Sequence, residues 1–176
     1  MTASTSAKRY AQAVMEVAAE RGQYAEWKAG LGRIAAVMAQ PDVHEAIENP
    51  KMPFSLKRQL LEERLRGLDP MAVNLALFMV SRGKAALAPK VAEEYGTLLN
   101  QREGIAPAEV VSAVPLDEAG KTRVAAYLSE MTAKKVVLTA RVDPEIIGGI
   151  VARVGDRLID GSVRNTLAEL KKALSA

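Results

Sequence analysis

The single histidine, His44, and the carboxylates Asp143, Glu145, Asp156 and Asp160 are the residues of this chain whose types could do chemistry. His44 lies close to Asp42 and Glu45, but a general base also needs a nucleophile or substrate group within hydrogen-bond reach. In a short polar helix, it reads as an ordinary surface residue. The carboxylates suggest a cation site, yet each stands at a turn, in Asp143-Pro144-Glu145, Gly155-Asp156 or Asp160-Gly161. Turn chemistry alone favours aspartate there. Neither an EF-hand spacing nor a cluster of histidine with carboxylates occurs.

Gly148-Gly149 followed by Gly155 invites comparison with a nucleotide-binding loop. The string GGIVARVG is not G-x-G-x-x-G, and no G-x-x-x-x-G-K-[ST] is present. Those glycines read instead as a bend or bulge where backbones approach closely. An anion could meet the helix start at Ser162, near Arg164, but every helix N-terminus offers that. With no cysteine in the chain, disulfides, thiolate catalysis and Cys-based zinc sites are excluded, which suits a reducing compartment. The inventory gives no catalytic, cofactor-binding or metal-binding residue, so an enzyme is not expected.

The stretch holding those glycines differs from the rest of the chain. A β-branched run from Val136 to Val142, the Asp143-Pro144 turn, an apolar run to Val154, Gly155-Asp156 and a short run from Arg157 to Ile159 read as three strands with hairpin-like connections. Asp160-Gly161 then leads to Ser162, the N-cap of a helix reaching Leu174. Just upstream, Glu109 to Leu116 reads as a strand, Asp117 as the cap of a helix through Met131, and Lys134 to Val142 as the next strand. Before Gly104 and Pro107 the apolar period is about 3.6, and after them about 2. The reading is therefore α+β: a helical domain over 1–105 and a small domain over 106–176, with a short sheet and two helices.

In the first part, Ser6 is expected to cap a helix carrying Ala7, Tyr10, Ala11, Val14, Val17 and Ala18, ended by Gly22. Tyr24 to Gln40 carries Trp27, Leu31, Ile34, Ala35 and Met38 and stops at Pro41. A short helix from Asp42 to Glu48 follows, and then Phe54 to Arg66, with Leu56, Leu60, Leu61 and Leu65 on one face. The fifth helix begins at Asp69-Pro70, a cap with proline in the first turn. Met71 to Val80 is apolar on nearly every face, so this helix is expected to be buried all round or to await a partner helix. Ala85 to Arg102 is the sixth.

Composition narrows the class. Of 176 residues nearly half are apolar but only 4% aromatic, which suits aliphatic helices packed closely through small side chains. The N-terminal MTASTSAKRYAQ lacks an apolar signal core, and no apolar run approaches the ~20 residues of a membrane span. Residues 1–105 carry 14 Lys/Arg against 12 Asp/Glu, and the remainder 10 against 9. Neither part is a basic module, although the pI near 9.2 keeps a nucleic-acid-binding adaptor as the alternative class. The two Phe and one Trp fall at apolar-stripe positions, leaving no expected stacking platform.

The spaced set Val142-Asp143-Pro144-Glu145-Ile146-Ile147-Gly148-Gly149-Ile150, Gly155-Asp156 and Ile159-Asp160-Gly161-Ser162-Val163-Arg164 resembles the delta subunits of bacterial F-type ATP synthases, the family of the mitochondrial oligomycin sensitivity-conferring protein. Arg9-Tyr10-Ala11-Gln12-Ala13 is similar to the family's first-helix motif. Asn49-Pro50, Asn100-Gln101-Arg102-Glu103-Gly104 and Ser112-Ala113-Val114-Pro115-Leu116, the last its first strand, also match. Arg82-Gly83-Lys84 only approximates its polar break after the fifth helix.

The resemblance implies an N-terminal six-helix bundle and a stator subunit without cofactor. Such a subunit joins the catalytic alpha/beta head to the b subunits of the peripheral stalk, at the cytoplasmic face of the bacterial cell membrane. It further implies a groove between the first and fifth helices for the N-terminal helix of an alpha subunit. Tyr10, Ala13, Val14, Val17, Asn74, Leu77, Phe78 and Ser81 are the expected lining. The C-terminal domain is expected to meet the b subunits.

Overall fold

The computed structural model describes residues 3–155 and 157–174, so Asp156 lies outside the described residues. The chain mixes helix and sheet, and contacts divide it into two units between Leu99 and Asn100. Six α-helices precede the first strand: α1 (Ala3–Arg21), α2 (Tyr24–Met38), α3 (Pro41–Glu48), α4 (Phe54–Arg64), α5 (Pro70–Ser81) and α6 (Ala88–Arg102). Their buried residues recur at helical spacing, with Ala7, Ala11, Val14 and Ala18 on α1, Trp27, Leu31, Ile34 and Met38 on α2, and Ala88, Val91, Tyr95 and Leu99 on α6. The alanines let helix axes approach closely, and fully buried Tyr95 ties α6 to the start of α2 by donating to the Tyr24 carbonyl at 3.1 Å.

Local chemistry sets the helix ends. Gly22 and Gly67 have φ of 67° and 88°, a region that favours glycine, and both follow helices. The Asp69 carboxylate accepts from the Met71 N–H at 2.7 Å with Pro70 in the first turn, as expected. Lys57 donates to the Ile47 carbonyl near the end of α3, and Arg64 reaches Asp42 at 2.6 Å, fastening α4 to α3.

Three expectations are corrected here. Helix α1 starts at Ala3, so Ser6 lies within it and is not its cap. Residues 85–87 form a 3-10 turn, and α6 proper begins at Ala88, which puts Pro89 in a first turn where its missing N–H is no loss. Leu56, expected on the apolar face of α4, is exposed, as is Phe54.

The second unit is a four-stranded sheet with two helices: β1 (Ile105–Ser112), α7 (Glu118–Thr132), β2 (Lys135–Val142), β3 (Gly149–Val154), β4 (Arg157–Ser162) and α8 (Val163–Leu174). The strand order is β2-β1-β3-β4, with β1 parallel to β2 and antiparallel to β3. Helix α7 is the crossover that a parallel pair needs. Alternate residues Ala106, Ala108 and Val110 of β1, Val136 of β2 and Ala152 and Val154 of β3 are buried in one cluster with Leu128 of α7. The Asp117 carboxylate caps α7 by accepting from the Gly120 N–H at 2.7 Å, and Ser129 of α7 accepts from the Val136 N–H at 3.1 Å.

Here two readings fail for physical reasons. Strand β1 spans Ile105–Ser112 rather than Glu109 to Leu116, so Val114, Pro115 and Leu116 follow the strand. It runs through Pro107. The Gly104 carbonyl accepts from the Lys135 N–H, so Ala106 turns its backbone to β2 and Pro107 turns away from it. On that side the β3 ladder begins only at Ala108, and no donor is missed. Nor is the Asp143-Pro144 connection a hairpin, because β1 lies between β2 and β3. The chain crosses the end of β1 through a 3-10 turn, Pro144–Ile146. It then makes a γ-turn at Ile147, with φ 68°, ψ −45° and the Gly148 N–H donating to the Ile146 carbonyl at 2.8 Å, a strained state for a β-branched residue.

The paired glycines mark a close approach. Gly149 has φ 78°, and a Cβ there would meet the Gly161 carbonyl oxygen at 2.2 Å. Gly149→Ala is expected to destabilise the second unit by about 3 kcal/mol, combining left-handed strain with a backbone clash. Hydrogen exchange would show β3 and β4 opening while α2 and α6 stay protected. The Asp160 carboxylate accepts from the Ser162 N–H at 2.9 Å, which holds its pKa below the ordinary value. Its contribution is therefore present above the unfolded pKa and lost as pH falls through the lower folded one. Asp160→Asn is expected to flatten the acid limb of the second unit's stability below about pH 4, as acid titration of the strand amide signals would report.

Candidate functional site

Among the described residues the candidate acids and His44 are not brought together into an acid–base or metal constellation. His44 borders a cleft lined by Met38, Ala39, Ala85, Ala86 and Pro89, none of which is an acid or nucleophile. Asp42 is engaged by Arg64. The Asp143 and Asp160 carboxylates accept from backbone N–H groups two residues on, and Glu145 reaches Arg164 at 3.9 Å. Among the described residues no group of three His, Cys, Asp or Glu could hold a metal.

What stands out is a pair of helix faces. Helix α5 is not buried all round: Ala72, Ala76, Leu77, Met79 and Val80 are covered, whereas Asn74, Phe78 and Ser81 are exposed. At about 100° per residue, Phe78 lies about 200° around the axis from Ala76, so the two stripes are back to back. On α1 the buried stripe of Ala7, Ala11, Val14 and Ala18 is flanked on one side by half-buried Tyr10 and Val17, with exposed Ala13 beyond them. The two open faces meet, because the Tyr10 and Phe78 rings lie 6.2 Å apart between centroids, tilted by 60°. That separation and tilt suit an aromatic pair.

The expected lining therefore divides. Tyr10, Ala13, Val17, Asn74, Phe78 and Ser81 reach the surface to different degrees, while Val14 and Leu77, at 4% and 5% exposure, belong to the core. Phe78 is 46% exposed. The expectation that both phenylalanines are hidden in apolar stripes is corrected accordingly. A period-based reading could not orient α5, since a helix apolar almost everywhere has no contrast between faces. The Ser81 hydroxyl donates to the Phe78 carbonyl at 2.8 Å and so serves its own helix.

One residue was missed altogether. The Arg82 guanidinium carbon sits 5.2 Å from the centre of the Phe78 ring, within cation–π range. The sequence signal was available, since Arg82 is four residues from Phe78 and the first charge after an uncharged helix. Also missed were the exposed apolar side chains Ile147, Val163, Leu167 and Leu170 of the second unit, the last three at i, i+4 and i+7 along α8. What such faces can do is adhere: covering a half-exposed aromatic ring contributes about 1–2 kcal/mol without any reaction.

Known proteins are similar to this chain in sequence and in fold. The family model of the ATP synthase delta (OSCP) subunit matches residues 7–174. The ATP synthase subunit delta of Desulfotalea psychrophila is 37% identical over 96% of this chain and 94% of that protein. That of Burkholderia multivorans is 36% identical over 98% of each. The fold is similar to that of a chain in the Toxoplasma gondii mitochondrial ATP synthase hexamer, with a TM-score of 0.67 at 18% identity over 97% of both chains. With a family match over nearly its whole length and relatives well above 30% identity, this chain belongs to the ATP synthase delta (OSCP) subunit family.

Proposed function

We propose that this chain is a non-catalytic stator subunit of a proton-translocating F-type ATP synthase. It links the catalytic alpha/beta head to the b subunits of the peripheral stalk, so that proton-driven rotation is coupled to ATP synthesis. Residues 1–105 act as a six-helix bundle that takes an amphipathic N-terminal helix of an alpha subunit along α1 and α5. Residues 106–176 meet the C-terminal ends of the b subunits. The subunit works at the cytoplasmic face of the bacterial cell membrane and is held there through the complex; among the described residues no helix is long and apolar enough to cross a membrane.

The observation that carries this reading is the open face of α5, on which Phe78 stays 46% exposed beside Tyr10 in a chain of this family. An exposed aromatic between two helices is the half-built interior that an incoming apolar helix face completes. The stalk reading is supported by the exposed Ile147, Val163, Leu167 and Leu170, a second apolar strip on a separate unit.

Titration of the full chain with the N-terminal peptide of the alpha subunit tests the first contact. Phe78→Asp is expected to weaken binding about tenfold or more while the sheet unit stays folded. Unchanged affinity would remove Phe78 from the docking face, and collapse of the helical unit would make it core. In urea melts Phe78→Ala is expected to cost about 1 kcal/mol, the size of its ring contacts, and Leu77→Ala about 3 kcal/mol. For the second contact, Leu167→Asp is expected to abolish capture by the C-terminal segment of the b protein and to leave the alpha peptide bound as before. Retained capture would move the stalk contact off α8.

A further inference from the structure

We infer that Arg82 is a specificity residue: it reads a carboxylate on the helix that docks along α1 and α5. This deepens the docking reading above and rests on it. Helix α5 carries no charged side chain from Pro70 to Ser81, and Arg82 follows as its C-cap, exposed, with its guanidinium over the exposed Phe78 ring. That ring in turn contacts Tyr10 of α1, so the cation is held at the junction of the two open faces.

Arg82 differs from Arg33, Arg58 and Arg64 of the helical unit. Arg64 is neutralised by Asp42, Arg58 by Glu62, and Arg33 donates to the Arg66 carbonyl. Among the described residues, the Arg82 side chain makes no ion pair and no hydrogen bond, and its guanidinium lies over the Phe78 ring. A guanidinium held over a ring by its charge keeps N–H groups free, and these can meet a carboxylate with two parallel hydrogen bonds. A positive charge at a helix C-terminus also interacts well with the helix dipole, and lysine would serve that end equally. The planar, ring-held fork is what lysine would not reproduce. The occupant that fits is an amphipathic helix whose apolar stripe covers Phe78 and which carries an aspartate or glutamate at the border of that stripe.

The test uses the full chain as wild type, Arg82→Gln, Arg82→Lys and Phe78→Asp. The probe is the N-terminal peptide of the alpha subunit, with each of its acidic residues replaced in turn by the corresponding amide. At low salt, Arg82→Gln is expected to weaken binding about fivefold, with the difference shrinking at high salt. Arg82→Lys restores only part of that loss. One peptide replacement is expected to weaken binding to the wild type equally, with no further effect on Arg82→Gln. Wild-type affinity in Arg82→Gln, full restoration by lysine, or losses that simply add at every acidic position would each overturn the inference. If Phe78→Asp then still abolishes binding, the docking reading stands without it. If Phe78→Asp also binds as wild type, both fall.

Discussion

The uneven burial of α5 is the constraint on which the first unit depends. A helix without charge from Pro70 to Ser81 has little beyond Asn74 and Ser81 with which to face water, so its neighbours must cover the rest. They cover Ala72, Ala76, Met79 and Val80 fully and stop short of Phe78. Completing the cover within the chain would need a larger residue than Ala13 or a further helix over α1 and α5. Instead the alanines at positions 7, 11 and 18 bring α1 close to the core, while Tyr10 and Val17 remain half-buried at its flank. Close packing below and an open aromatic pair above are two consequences of one distribution of small and large side chains.

The second unit solves a different problem with β1 as its pivot. A strand with a parallel partner on one side and an antiparallel partner on the other forces the connection after β2 to cross the end of β1. That crossing accounts for the crowded stretch from Asp143 to Gly149: an Asp-capped 3-10 turn, a strained Ile147 and a glycine pressed against the Gly161 carbonyl. Within the glycine pair that invited comparison with a phosphate loop, Gly149 lies where two backbones need the space of a missing Cβ, and Gly148 lies against the Val163 side chain. Asp143 and Asp160 are likewise absorbed by turns, as hydrogen-bond acceptors for the Glu145 and Ser162 N–H groups.

Much of this was legible in the residues, and most of the failures share a cause. Caps at Asp69, Asp117 and Ser162, whose hydroxyl accepts from the Asn165 N–H at 3.1 Å, were read correctly from partners within three residues, although Ser6 was not a cap. Errors arose where the deciding neighbour is distant in the chain. The extent of β1 depends on where β3 ends its ladder against Pro107, and the supposed hairpin depends on β1 having taken the place beside β2. For the candidate site, the helices were legible and their open sides were not. Val14 sits one turn from Val17 and Leu77 is adjacent to Phe78, and within the almost wholly apolar α5 no pattern separates the buried from the exposed.

The kind of side chain left at the surface also bears on what a stator needs. Tyr10, Ala13, Val17, Asn74, Phe78 and Ser81 include no carboxylate and no histidine, so the proposed contact gains its strength from apolar area, which does not change near neutral pH. A contact made only of area would accept any amphipathic helix of the right width. One fixed charge beside the ring changes that, because a helix that places an amide or a lysine against Arg82 forfeits the pairing or meets repulsion. In the proposed contact, adhesion and discrimination are thus divided between Phe78, which any apolar stripe can cover, and Arg82, which only a correctly registered acid can satisfy.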